Sequence, residues 1–147
     1  MEFRSEAQRA CYEKIAPWVK EIFGEFAVAR SDRPSFGVVV GSAFTGIAVL
    51  PWGDDDAVIS TRSYVVTKVE LTPELMRYLL ECNDSMRFGA FGVDSDGDIF
   101  FEHAIVGSSC DRNELKASVF AVAMTADRFD DEIVARWGGQ RAVDRMD

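Results

Sequence analysis

The chain has 147 residues, enough for one domain with a sizeable core, and 48% of them are hydrophobic, which excludes a disordered chain. Twenty-five acidic residues against sixteen basic ones leave a net charge of −9, a field that repels phosphate backbones and anionic membranes, so neither nucleic acid nor a membrane is an expected partner. The charged N-terminus, MEFRSEAQRACYEKIAPW, lacks the apolar core of a signal peptide, no apolar run approaches a membrane span, and Cys11, Cys82 and Cys110 lack CxxC spacing, a pattern of reduced cysteines in the cytoplasm.

A helix is predicted first, from Arg4 to Phe23, with Ala7, Cys11, Ile15, Trp18 and Ile22 on one apolar face. Pro17 clashes with the carbonyl four residues back, so a kink or break is expected near Ala16. Three strands follow: Phe36 to Val40 after the turn Ser31-Asp32-Arg33-Pro34, then Phe44 to Leu50, then Ala57 to Val66. A further short strand fits Phe26 to Ala29. In the third strand Val58, Ser60, Arg62, Tyr64 and Val66 share one face and Ala57, Ile59, Thr61, Ser63 and Val65 the other. Neither set is cleanly polar, so that strand is expected to be covered on both sides.

Thr72-Pro73-Glu74 opens a second helix with an N-cap threonine and a proline at the first helical position. Leu75, Tyr78, Leu79 and Cys82 share one face, and Met76 and Leu80 lie on a neighbouring one. This is more apolar surface than docking on one sheet requires, so Met76 and Leu80 are expected at a subunit interface. A hairpin, Arg87 to Val93 and Asp98 to Val106, turns on Asp94-Ser95-Asp96-Gly97-Asp98. Asp111 caps a third helix, with Glu114 placed for a capping box and Gly138-Gly139 as the stop. The order α-β-β-β-α-β-β-α predicts an α+β fold, with helices packed on an antiparallel sheet. Residues 1–139 are expected to form a single domain and 140–147 a polar, frayed tail.

Little chemistry is readable. The Asp94 turn fails as an EF-hand loop, because glycine is fourth, not sixth, and the twelfth residue is Ile105. Asp54-Asp55-Asp56 reads as an exposed turn. One histidine and three scattered cysteines give no zinc spacing, and no glycine loop for a nucleotide cofactor is present. Gly107-Ser108-Ser109 ahead of the third helix is a weak anion cradle. His103 and Cys110 are the one conceivable base–thiol pair, with Glu102 beside the histidine but on the opposite strand face, and with the helix dipole acting to lower the Cys110 pKa. No catalytic, cofactor-binding or metal residue is assigned.

The run from Arg87 to Gly139, above all FGAFGVDSDGDIFFEHAIVGSSCDRNELKAS and the closing RWGG, resembles YbjN-domain proteins. These belong to the wider group with the type III secretion chaperone-like fold. GSAFTGIAVLPWGDDDAVISTRSYVV and LTPELMRYLL extend the resemblance over nearly the whole chain. It implies a twisted antiparallel sheet flanked by helices, and a non-enzymatic peptide-binding module, chaperone-like or regulatory. It also implies a small acidic homodimer, paired through the second helix, that holds an extended segment of a client protein. The family has no motif that would transfer a functional residue. The acidic composition adds an expected preference for clients with basic residues near their apolar anchors. A small-molecule sensor or an enzyme using a pocket near His103 and Cys110 is the alternative.

Overall fold

In the computed structural model, which describes residues 1–145, three helices and an antiparallel sheet follow the expected order, with the further short strand present at Ala27–Ala29 and a two-residue strand, Gln140–Arg141, added. The elements are α1 (Glu6–Phe23), β1 (Ala27–Ala29), β2 (Ser35–Val40), β3 (Ala43–Trp52), β4 (Asp56–Thr67), α2 (Pro73–Ser85), β5 (Ala90–Val93), β6 (Ile99–Val106), α3 (Arg112–Trp137) and β7 (Gln140–Arg141). The strands run β1-β2-β3-β4-β6-β5, and β7 pairs with the end of β4.

Alternation on β3, on β4 as far as Val65 and on β6 sends one residue set to the helices. Ala43, Thr45, Ile47 and Val49 of β3, Ala57, Ile59, Thr61, Ser63 and Val65 of β4, and Ile99 and Phe101 of β6 are all buried. They meet Cys11, Ile15, Val19 and Phe23 of α1, Leu75 and Leu79 of α2, and Leu115, Val119, Val122, Phe129 and Ile133 of α3. All three helices therefore lie on one face of the sheet.

The capping signals at Thr72 and Asp111 hold. Thr72 caps α2 by accepting from Leu75 N, and Asp111 caps α3 by accepting from Glu114 N at 2.7 Å; the structure adds Ser5, which caps α1 by accepting from Gln8 N. Gly138 ends α3 at φ 83°, a left-handed conformation that favours glycine.

Four expectations change. Helix α1 runs unbroken through Pro17, because the proline ring is on the exposed side and the carbonyl it strands, that of Glu13, is also at an exposed residue. Its buried stripe follows Cys11, Ile15, Val19 and Phe23, so Trp18 and Ile22 lie on its shoulder, half-buried. Val66 does not share the face of Tyr64: a register shift between them turns Val66 fully into the core beside Val65. The segment after Gly139 does not fray up to residue 144, since Gln140 and Arg141 pair with Thr67 and Val66 and a turn of 3₁₀ helix follows (Ala142–Asp144). Residues 146 and 147 of the expected tail lie outside the described residues.

An interior helical proline forfeits a backbone hydrogen bond and strains the turn before it. Pro17→Ala is therefore expected to stabilise the fold by about 1–3 kcal/mol, read as a raised urea midpoint at unchanged slope.

Candidate functional site

The face of the sheet opposite the helices is largely uncovered, and its make-up follows from strand register. Gly37, Gly46, Arg62, Glu102 and Ala90 form one row across five strands. Ser35, Ala48, Ser60 and Ala104 form the next. Because these residues are mostly small, the two rows make a shallow channel across the strands. One bank carries Val39 paired with Phe44, and Tyr64 paired with Phe100. The other carries Leu50, Val58 and Val106, with Trp52 beyond. Phe44 is 62% exposed, Trp52 56% and Leu50 47%, high values for large apolar side chains grouped on one face.

Glycines set the channel's depth. The Phe44 ring lies across Gly37, where an added Cβ would come within 2.7 Å of it, and the Phe100 ring lies across Gly92 in the same way. Gly46 is different, since a Cβ there would meet only the Arg62 carbonyl, at 3.9 Å. Two contiguous troughs share Phe44, Gly46 and Arg62. One, of about 350 Å³, runs toward Arg30, Ser35 and Leu50; the other, of about 280 Å³, is walled by Ala142, Val143 and Arg145. This C-terminal segment is the partial second cover of β4 near Tyr64.

A polar cluster sits in the channel floor. Arg62 donates to Glu102 Oε2 at 2.8 Å, Ser60 Oγ donates to Glu102 Oε1, and the guanidinium stacks 3.7 Å from the Phe100 ring centroid. Beside it the Tyr64 hydroxyl donates to Asp94 Oδ2 at 2.8 Å. Asp94 also accepts from the backbone of Asp96 and Asp98, and these donors hold its carboxyl below the ordinary carboxylate range. Asp94 thus serves as the hairpin's own turn cap. Asp56 does similar work, accepting from Ser108 Oγ and from the Ser108 and Ala57 backbone. Among the described residues no three His, Cys, Asp or Glu side chains converge as a metal site.

The two edges of the sheet differ. At β5 the side chain of Asn83 on α2 takes both backbone groups of Phe91, donating to its carbonyl and accepting from its N–H at 2.7 Å. That blunts the edge against strand addition. At the other edge β1 is three residues long.

His103 and Cys110 are not brought together. His103 faces the helices, shares a 2.7 Å hydrogen bond between its Nδ1 and Ser118 Oγ, and meets the Phe88 ring edge-on. Cys110 lies in the core under α1 with Cys11, and its Sγ donates to the Asp111 carbonyl. Burial pushes its pKa up to about 11, so the helix-start effect expected from the sequence is outweighed by desolvation. Met76 and Leu80 are exposed on the outer side of α2, at 41% and 69%, while Leu75 and Leu79 are buried beneath. The cross-strand channel and the Asn83 clamp were not read from the sequence. The available signal was the alternation Phe44-Gly46-Ala48-Leu50, which puts small residues between large ones on a single face.

With this geometry in view, the comparisons with known proteins define the class. Residues 11–145 match the family described as T3SS (YopN, CesT) and YbjN peptide-binding chaperone 1, and the chain belongs to that family. Its fold is that of type III secretion chaperones. It superposes on a chain of the ExsC–ExsE complex with a TM-score of 0.64 at 13% identity, covering 86% of this chain and 95% of that one. It also superposes on a chain of the HopA1–SchA chaperone–effector complex with a TM-score of 0.63 at 7% identity, covering 82% and 94%. The search of curated proteins found no match. No helix among the described residues is long and apolar enough to cross a membrane.

Burial lowers the His103 pKa from its ordinary 6.5, so the folded state holds the ring neutral. Stability from this group is present above the unfolded pKa and is lost as pH falls through the folded one. The stability of the wild type relative to His103→Gln is expected to shrink as pH drops below about 6.5, measured by urea unfolding at a series of pH values.

Proposed function

We propose that this protein is a cytoplasmic, non-enzymatic chaperone-like module that holds an extended segment of a client protein on the open face of its sheet. The observation that carries this reading is the uncovered apolar face itself, with Phe44, Leu50 and Trp52 exposed around a channel floored by small residues. Such surface is unfavourable in water by about 25 cal/mol per Å² and is stabilised when a partner covers it. Membership of a peptide-binding chaperone family supports a polypeptide as that partner. Binding on the face is favoured over strand addition, because Asn83 already engages the β5 edge and β1 offers few backbone groups. An arrayed set of unstructured peptides is expected to bind according to apolar side chains at alternate positions. Phe44→Ser with Leu50→Ser should weaken that binding by more than about tenfold, since each anchor contributes about 1.5–3 kcal/mol on full burial, with little change in melting temperature. Binding unaffected by the double variant, or no binding by any peptide, would refute the reading.

The same proposal includes a homodimer paired through the outer side of α2. Met76 and Leu80, one turn apart, present apolar surface there that the monomer leaves in water. Leu80→Glu is expected to give a folded monomer in light scattering where the wild type gives twice that mass. A wild type already monomeric at tens of micromolar would overturn this assignment.

A further inference from the structure

The net charge of −9 is not spread evenly, and the channel departs from it. Among the described residues, its two troughs are lined by Arg30, Arg33, Arg62 and Arg145, and by a single carboxylate, Glu102. Carboxylates outside the lining balance two of these arginines: Asp32 pairs with Arg33 at 2.7 Å and Asp98 with Arg145 at 3.5 Å. Glu102 is taken up by Arg62 and Ser60. Arg30, at the mouth of the larger trough, makes no salt bridge among the described residues, and Asp32, whose carboxylate feels both Arg30 and Arg33, directs its hydrogen bonds to Arg33. In the floor, the Arg62 guanidinium lies 3.7 Å from the Phe100 ring centroid and donates to Glu102 through Nη2, one of its three nitrogens. The channel therefore offers N–H donors and, among the described residues, has no uncommitted carboxylate in its lining.

From this arrangement we propose that the channel selects client segments carrying a carboxylate side chain, Asp or Glu, between their apolar anchors, with Arg30 at the mouth and Arg62 in the floor as the recognising groups. The inference rests on the peptide-holding reading above and names the chemistry of the segment. A planar guanidinium matches a carboxylate in bidentate fashion, and the surrounding aromatic and aliphatic banks exclude part of the water that would screen the pair. A lysine at the same place in the client would meet like charge and find Glu102 already engaged. This is the opposite of the preference for basic clients that the overall composition suggests.

The test uses three labelled peptides that alternate leucine with serine and differ at one central position, Glu, Gln or Lys, titrated with the full-length protein by fluorescence anisotropy. The Glu peptide is expected to bind about tenfold or more tighter than the Lys peptide, with Gln between, and the gap should narrow at high salt. Arg30→Glu, which leaves the Asp32–Arg33 pair in place, and the double variant Arg30→Glu, Arg33→Glu should shrink or invert the preference. Gly46→Leu should abolish binding of all three, because it fills the channel from a position whose Cβ makes only an ordinary contact, 3.9 Å from the Arg62 carbonyl. Equal or tighter binding of the Lys peptide, or a preference unchanged in both arginine variants, would overturn the charge selection while leaving peptide binding intact. Failure of every peptide to bind would overturn the peptide reading and this inference together. Undiminished binding by Gly46→Leu would place the site elsewhere, and conversion of a dimer to monomer by that substitution would show that the channel's occupant is a second copy of this chain; either result rejects the proposal.

Discussion

One-sided burial of the sheet is the constraint on which everything else in this molecule depends. Three helices cover a single face, and they fill it with Ile47, Ile59, Ile99 and Phe101, all at zero exposure. Alternation then fixes the identity of the other face residue by residue, because inward side chains on β3, on β4 as far as Val65 and on β6 have outward neighbours. A soluble sheet of this kind usually carries polar residues outward. Here the outward set on β3 is Phe44, Gly46, Ala48, Leu50 and Trp52, so an uncovered apolar surface is built into the strand that stands in the middle of the sheet.

The local geometry keeps that surface shaped. Phe44 and Phe100 do not stand upright; each lies over a glycine on the neighbouring strand, Gly37 and Gly92. A side chain at either glycine would lift the ring and change the bank of the channel. The Arg62–Glu102–Ser60 cluster then spans adjacent strands in the floor. Placed among apolar neighbours, it supplies direction rather than much stability, since the pair is only partly buried. The β5 edge is handled separately, by an amide side chain on α2 that reproduces the pairing a further strand would offer.

Much of this was legible in the sequence, and the rest was hidden for physical reasons. The caps at Thr72 and Asp111, the stop at Gly138 and the hairpin around Asp94 are local signals, written in contiguous residues, and the structure follows them. The placement of Val66 was not legible, because a bulge is a property of a strand pair and leaves no mark on the alternation of one strand. Pro17 misled for a related reason: its cost depends on whether the stranded carbonyl faces solvent, and that is decided by how the helix is rotated against the sheet. The channel needed the full register, since Gly46, Arg62 and Glu102 become neighbours only when β3, β4 and β6 are aligned. His103 and Cys110 were close in sequence, yet strand and helix carry them into separate surroundings.

The contrast between the acidic whole and the arginine-lined channel separates two electrostatic ranges. At about 8 Å of Debye screening in physiological salt, the net charge governs approach, and it favours cationic chains in the first encounter. Within the channel the governing distances are those of direct contact, where Arg62 sits 2.8 Å from its carboxylate partner and 3.7 Å from an aromatic ring. At that range geometry and partial water exclusion outweigh the distant surface charge. On the proposed reading, a segment drawn in by the outer field would therefore meet a different test once it reached the sheet. On the proposed reading, an acidic surface around an arginine-lined channel would separate what the molecule attracts from what it retains, a division that suits a module holding one kind of segment among many unfolded chains.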